Sequence, residues 1–411
     1  MRFNPRIVVL VAAITLAYEI SSEAFAQGGK RPGGIQNQVG GKVMNGRKKG
    51  GGQGKANGDE SPSAHLPPGF QELSRDEVKQ LDSLCNRFIN WIADSKSRER
   101  ASLLSIGDYF GAMDTPKERN NNADGNPRIS ETDIGFYVLS LLTSDQRSQL
   151  AKLVVSQRAA IADYERHRAD ILAQLKSVPT NETSERGFDR AIAESARAVG
   201  QLEISIAVAQ ARVFADIFKV LTAEQREFLI LVRSNPIAIN YNNGSIAAVR
   251  ETLATHDVKD QEAIAVLAYK AACFCTGTAT QNAASLPSMN AGLVGNQSSG
   301  GDKEGRATGA LLSALTPTQQ QSMYQLLANQ VKTLMTQSIQ RRQVVLALDA
   351  SKTGNSMVER KLQQIGGQIS QTDAQSAVNE VRTFALIKRS LTEPQRLFIQ
   401  QNFVPTVSEN P

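Results

Sequence analysis

The chain has little with which to do chemistry. Three histidines serve 411 residues. His65 lies in a Gly-rich stretch, and neither His167 nor His256 has a neighbour four residues on to make a helical metal pair. Metal sites need convergent ligands, so solvated or helix-surface histidines are the better reading. Neither a Ser-His-Asp nor a Cys-His relay can be assembled from so few. No strand alternation is sustained anywhere, so no glycine-rich phosphate loop can follow a strand, and Ser299-Gly300-Gly301 reads as a flexible connector. No catalytic residue, metal or cofactor is expected, and the chain does not read as an enzyme.

Long hydrophobic runs are scarce too. The apolar run from Ile7 to Ala17 is much shorter than the roughly 20 residues needed to cross a bilayer. It follows Arg2 and Arg6 and precedes Ala24-Phe25-Ala26, the pattern of a signal peptide covering residues 1–26 and cleaved after Ala26. No Cys stands at the cleavage point, which argues against a lipid-anchored product. A periplasmic or secreted, soluble mature protein is expected. Cysteine is as rare as histidine. Cys273 and Cys275 are spaced too closely to bridge each other and too sparsely for a metal knuckle. Cys85 can pair with one of them, or all three can remain buried free thiols, and both readings stand.

Positive charge is concentrated where apolar residues are missing. Lys30, Arg31, Lys42, Arg47, Lys48, Lys49 and Lys55 face only Asp59 and Glu60 within 27–70, a net +5 (7 − 2) of the chain's +6. Such a Gly-crowded stretch cannot bury enough surface to offset its ordering entropy, so a solvated, disordered linker is predicted. The functional alternative is a loose tether to an anionic envelope surface, screened by salt. No nucleic-acid partner is expected.

What is present in quantity is a repeat. Leu142-Thr143-Ser144-Asp145-Gln146 and Leu221-Thr222-Ala223-Glu224-Gln225 form one pair, and Leu315-Thr316-Pro317-Thr318-Gln319 and Leu391-Thr392-Glu393-Pro394-Gln395 a second. The spacings within pairs are 79 (221 − 142) and 76 (391 − 315), and the offsets between pairs are 173 (315 − 142) and 170 (391 − 221). This agreement implies a duplication of about 170 residues. Each Thr-x-x-Gln is a capping box, the Thr hydroxyl accepting from the N3 amide while Gln reaches back to the cap amide. Pro317 falls at N1, where its missing donor costs nothing. The preceding Leu could act as a staple, although its N4 partners are Arg147, Arg226, Gln320 and Arg396 and offer only aliphatic stems.

Between the signatures, apolar residues recur at three-four spacing, as in Leu150, Val154, Ile161, Tyr164, Ile171 and Leu175, and again in Met323, Leu327, Val331 and Leu334. Long helices with narrow apolar stripes suit hairpins better than a thick core. An all-α fold is predicted, with a first helical unit over 71–232, a second over 245–402 and a C-terminal tail over 403–411. Each unit is read as a leading helix, a loop, a long hairpin and a final helix.

On these residues Leu142 to Ile230 resembles the Spy/CpxP-like periplasmic proteins, whose hallmark is a pair of LTxxQ motifs bracketing long helices. LTSDQRSQL, the Phe188-Asp189-Arg190-Ala191 segment and LTAEQREFL carry the match. Leu315 to Ile399 matches less closely, with Val358-Glu359 where the first unit has Phe188-Asp189. The resemblance covers under half of the chain. It implies a bent helical cradle, here a pseudo-dimer built by one chain, whose concave surfaces hold partly unfolded clients without ATP. A structural or stress-regulatory envelope protein docking one fixed partner is the alternative, and further homo-oligomerisation stays open. Arg158, Arg166, Arg168, Arg341 and Arg342 occupy matching stations of the two hairpins. They read either as a solvated face or, on the family reading, as part of a basic client-binding surface. The stretch 120–133 resembles an EF-hand loop in two registers, each missing one requirement because of Pro127, and an Asn-Gly-rich turn is the favoured reading.

Overall fold

The computed structural model describes residues 66–92, 109–110, 130–176, 182–234, 243–278, 280, 303–355 and 358–403. All of them fall within the compact unit Asp59–Pro411. The cleavage site after Ala26, the basic segment up to Lys55 and residues 120–129 of the EF-hand-like stretch lie outside the described residues.

Every regular element among the described residues is helical. The helices are α1 (Arg75–Ile92), α2 (Glu131–Leu141), α3 (Ser144–Lys176), α4 (Glu182–Val220), α5 (Ala223–Ser234), α6 (Asn243–Thr252), α7 (Val258–Cys275), α8 (Lys303–Ala314), α9 (Pro317–Asp349), α10 (Glu359–Ser390) and α11 (Glu393–Phe403). The order short, long, long, short occurs twice, in α2–α5 and in α8–α11. Local chemistry sets the boundaries. Thr316 caps α9 with Pro317 in the first turn. A 3-10 turn, Ala350–Thr353, ends that helix at Gly354, whose φ of +81° is a left-handed conformation that glycine adopts without a Cβ clash.

The long helices α3 and α4 form one antiparallel hairpin and α9 and α10 the other, and the two hairpins join by antiparallel packing of α4 on α10. Small residues permit that approach. A Cβ on Gly200 would lie 2.1 Å from the Gly366 carbonyl oxygen, and one on Gly366 would lie 2.2 Å from Ile204 Cγ1. Two ion pairs flank the crossing reciprocally. Arg212 Nη2 lies 2.9 Å from Glu359 Oε2, while Arg382 donates twice to Asp189 at 2.8 and 2.9 Å. The duplication offset of 170 turns Asp189 into Glu359 and Arg212 into Arg382, so each hairpin supplies one acid and one base to the other. Hairpin tips behave the same way. Ile171, Leu175 and Ile192 pack on Ala374, Ala377 and Val378 of α10, and Val344, Leu348 and Leu362 join the core around Ala211 and Phe214 of α4.

The short helices before the hairpins cut across the sequence intervals 71–232 and 245–402. The α7 helix packs on α2, closely enough that a Cβ on Gly135 would lie 1.9 Å from the Ala265 carbonyl oxygen. It thereby completes the first hairpin's core, together with Tyr109 and Phe110. The α1 helix instead packs on α8 and α9 and buries Leu81, Leu84, Cys85 and Phe88 in the second hairpin's core. The first half is thus closed by the helix that follows it, and the second by a helix from the other end of the described chain. Two ring contacts show that the closures are equivalent. Phe88 stands 5.1 Å from Phe384, and Phe274 stands 5.9 Å from Phe214, the residue 170 positions before Phe384.

Candidate functional site

The Leu-Thr-x-x-Gln segments begin helices, and they also meet in pairs. Gln146, Gln225 and Gln319 each accept from the amide of their own Thr and donate their amide to its hydroxyl oxygen. At the fourth copy Gln395 Oε1 accepts from the Thr392 amide at 2.8 Å, and Thr392 turns its hydroxyl onto the same oxygen at 3.2 Å. Gln225 Nε2 then donates to the Leu141 carbonyl at 2.7 Å and to Gln146 Oε1 at 3.3 Å. Gln395 Nε2 repeats this toward the Ala314 carbonyl at 2.7 Å and Gln319 Oε1 at 3.0 Å. The knot ties the end of each hairpin to its preceding short helix.

Leu142, Leu221, Leu315 and Leu391 are all buried. The N4 side chains do other work than stapling. Arg147 donates to the Leu139 carbonyl, Arg226 to that of Phe218 and Gln320 to that of Leu312, adding a second donor to carbonyls that already accept from the Leu142, Leu221 and Leu315 amides.

Of the five arginines, Arg168 and Arg341 come together. Arg158 pairs with Asp260 of α7, joining the closing helix to the hairpin it closes. Arg166 is exposed and meets Asp163 one turn away at 2.8 Å, a weak contact in high dielectric. Arg168 and Arg341 are related by the offset of 173 and converge on one polar cluster, both acting on the Tyr164 phenol. Arg341 is 12% exposed and lies 3.5 Å from Asp373, which also accepts from Gln337 Nε2 at 2.5 Å. Arg168 sits by Tyr164, whose phenol is raised above its usual pKa by burial and then by Glu203, with Arg168 opposing. Burial and Glu203 likewise push the Tyr109 phenol up, which places its hydroxyl among these same groups. Arg342 alone of the α9 pair is exposed.

Deeper in each hairpin lies a second polar node, which sequence reasoning missed. In the first half Gln210 Nε2 donates to Gln157 Oε1 at 3.1 Å, and Gln157 Nε2 to the Ile206 carbonyl at 3.0 Å. At the equivalent stations of the second half stand Glu380 and Gln330. Arg87 of α1 forks onto Glu380 at 2.7 and 2.9 Å, Gln330 Nε2 donates to the same carboxylate at 2.5 Å, and Ser83 accepts from Arg87 at 2.8 Å. Burial alone would lower the Arg87 pKa, but the adjoining carboxylate raises it above the ordinary value. The signal available in sequence was an acid at the station where the first repeat has Gln210.

The outer face of α9 carries the most distinctive exposed feature. Met335, Ile339 and Leu346 are 49%, 55% and 48% exposed. With Arg342 they fall at i, i+4, i+7 and i+11, one continuous stripe on the side away from buried Gln337, Val344 and Leu348. Tyr324 extends the same stripe toward the helix start, where its ring meets Phe70 at 5.6 Å. The matching residues of α3 are Ala162, Arg166, Ala169 and Ala173, so the first half has no such stripe.

Among the described residues no group of three His, Cys, Asp or Glu side chains could hold a metal. Asp133, a ligand in one register of the EF-hand-like stretch, is engaged in a capping box with Ser130 at the start of α2. The cavity beside Tyr109, Cys273 and Leu348 measures about 10 Å³, space for a single water. Cys85, Cys273 and Cys275 are free thiols, Cys85 in the second half's core and Cys273 in the first's. Burial pushes the Cys275 pKa up to about 12, with Lys352 opposing. No described helix is long and apolar enough to cross a membrane. No protein-family model, curated protein or solved structure matches the chain.

Proposed function

We propose that this is an exported, ATP-independent, chaperone-like protein that binds partly unfolded clients, with the outer face of α9 as its principal contact surface. The observation that carries the reading is the Met335, Ile339, Leu346 stripe with Arg342 within it. Exposed apolar side chains in a contiguous row mark interaction surfaces, and Met adapts its shape to varied partners. A guanidinium among them adds weak, broad attraction to chains of mixed composition. Binding of this kind holds a client away from aggregation by mass action and requires no catalytic residue. The reciprocal ion pairs and the Gly200–Gly366 crossing support the finer reading of two hairpins as a pseudo-dimeric cradle, which keeps the stripe on a rigid support.

The test is suppression of aggregation of two unrelated unfolded proteins by the full chain and by a Met335→Ser, Ile339→Ser, Leu346→Ser variant. Full burial of one such side chain contributes about 1.5–3 kcal/mol, and 1.4 kcal/mol is a factor of ten. Partial burial of three predicts at least about tenfold weaker suppression with helicity unchanged. Equal suppression by the variant sinks the assignment of the face. No suppression of either substrate by the native chain sinks the chaperone reading in favour of docking one fixed partner.

A further inference from the structure

We infer that the buried Arg87–Glu380 pair is a sorting device that decides which of the two closing helices, α1 or α7, docks on which hairpin. The hairpins are duplicates and present equivalent grooves, so each closing helix has two places to go. Connectivity does not choose between them. The α1 helix precedes the first hairpin and α7 precedes the second, yet each lies on the other one.

Charge does choose. The second groove holds Glu380 with 4% of its side chain exposed, and Arg87 satisfies it. The first groove presents neutral Gln210 and Gln157, which satisfy each other and the Ile206 carbonyl. Aligning Phe88 with Phe274 by their matching ring contacts puts Cys273 of α7 at the station of Arg87. Were the helices interchanged, Glu380 would face a thiol, and Arg87 would enter a groove with no anion at that station. A buried ion left without its partner is strongly penalised, whereas an intact pair is close to neutral relative to apolar packing. The pair therefore contributes choice more than strength, as a buried polar residue sets register in a coiled coil. The partner that the second groove fits is thus an amphipathic helix with an arginine immediately before a core aromatic, and within the described chain that helix is α1.

The chain's single tryptophan, Trp91, lies on α1 with its ring 6.2 Å from Phe384, so it reports where that helix sits. Energy transfer from Trp91 is measured to a dye on Gln401→Cys of α11, and separately to one on Leu231→Cys, the equivalent position of α5. The native chain should transfer strongly to position 401 and weakly to 231. Moving the acid to the first hairpin, with Glu380→Gln and Gln210→Glu together, should reverse that preference. Transfer that stays at 401 in a helical protein overturns the proposal. If the relocated variant does not fold, Arg87→Glu replaces it. This change should abolish transfer to 401 with helicity kept, and Glu380→Arg should restore it. Undiminished transfer in Arg87→Glu alone, or loss that Glu380→Arg fails to rescue, overturns the proposal.

Discussion

The two halves repeat the same helices but differ at their centres and on their faces. The first half encloses a neutral amide pair, Gln157 and Gln210, and is closed by the helix that follows it in sequence. The second encloses a carboxylate and is closed through Arg87, which is 293 residues away from Glu380. Outside, α9 carries Met335, Ile339 and Leu346 where α3 carries Ala162, Arg166 and Ala173. A duplicated scaffold can thus divide labour: one copy closes locally, while the other takes the long-range closure and the apolar row along its first long helix. Closure over long sequence separation is entropically costly to form, and a specific charged contact at that point guards against wrong pairing.

The largest expected contrast is at the second polar node. Glu380→Ala strands Arg87, whose side chain is 19% exposed, and should cost about 3–5 kcal/mol. Gln210→Ala in the first half leaves only a neutral amide oxygen without its donor, and about 1–3 kcal/mol is expected. Urea unfolding of both variants checks the order. Equal losses would mean that the ionic centre of the second half is no different in kind from the amide centre of the first.

Next in size comes the crossing that holds the halves together. Gly200→Ala drives a methyl against the Gly366 backbone oxygen, which cannot turn aside, so the helices must separate. Overpacking of this sort costs about 1–3 kcal/mol. Gly366→Ala meets Ile204 Cγ1 at 2.2 Å and the Gly200 carbonyl oxygen at 2.7 Å, a looser backbone clash than the 2.1 Å at Gly200, and should cost somewhat less. If the two substitutions prove equally mild, the close approach of α4 to α10 is not a point of tight packing. The contrast also locates the asymmetry. The small pair is Ala196 and Gly200 in the first half but Gly366 and Ser370 in the second, so the same offset that preserves the ion pairs shuffles the glycine by one turn.

Much of the scaffold was legible in sequence because helix starts are local events. Thr316 and Gln319 are three residues apart and need nothing else to specify a cap, and the repeat offset carried Asp189 onto Glu359 without a structure. The closures were not legible. No local signal ties Arg87 to Glu380, and the natural reading leaves each short helix with the hairpin after it. The outer stripe was half visible. Met335, Ile339 and Leu346 fall off the register that buries Met323 and Leu327, but a search for one apolar face passes over a second. The arginines show the limit from the other side. Matching stations on two hairpins grouped Arg168 and Arg341 with Arg158, Arg166 and Arg342, yet spacing cannot distinguish a solvated guanidinium from one folded inward against Asp373.

The smallest effects should come from the caps, and they compare the halves at their finest grain. In the first half both signatures are complete boxes, and removing the Thr hydroxyl from Thr143 or Thr222 should cost about 0.5–2 kcal/mol. In the second half only Thr316 receives the N3 amide, at 3.4 Å, whereas Thr392 spends its hydroxyl on Gln395 Oε1. That oxygen already accepts from the Thr392 amide, so the hydroxyl adds little, and Thr392→Ala should cost less than about 0.5 kcal/mol. Urea midpoints at unchanged slope give the comparison directly, since an unchanged slope means that the surface exposed on unfolding is the same. A Thr392→Ala loss as large as that of Thr222→Ala would show that the fourth signature caps its helix in solution as the other three do. The two halves would then not differ at their caps.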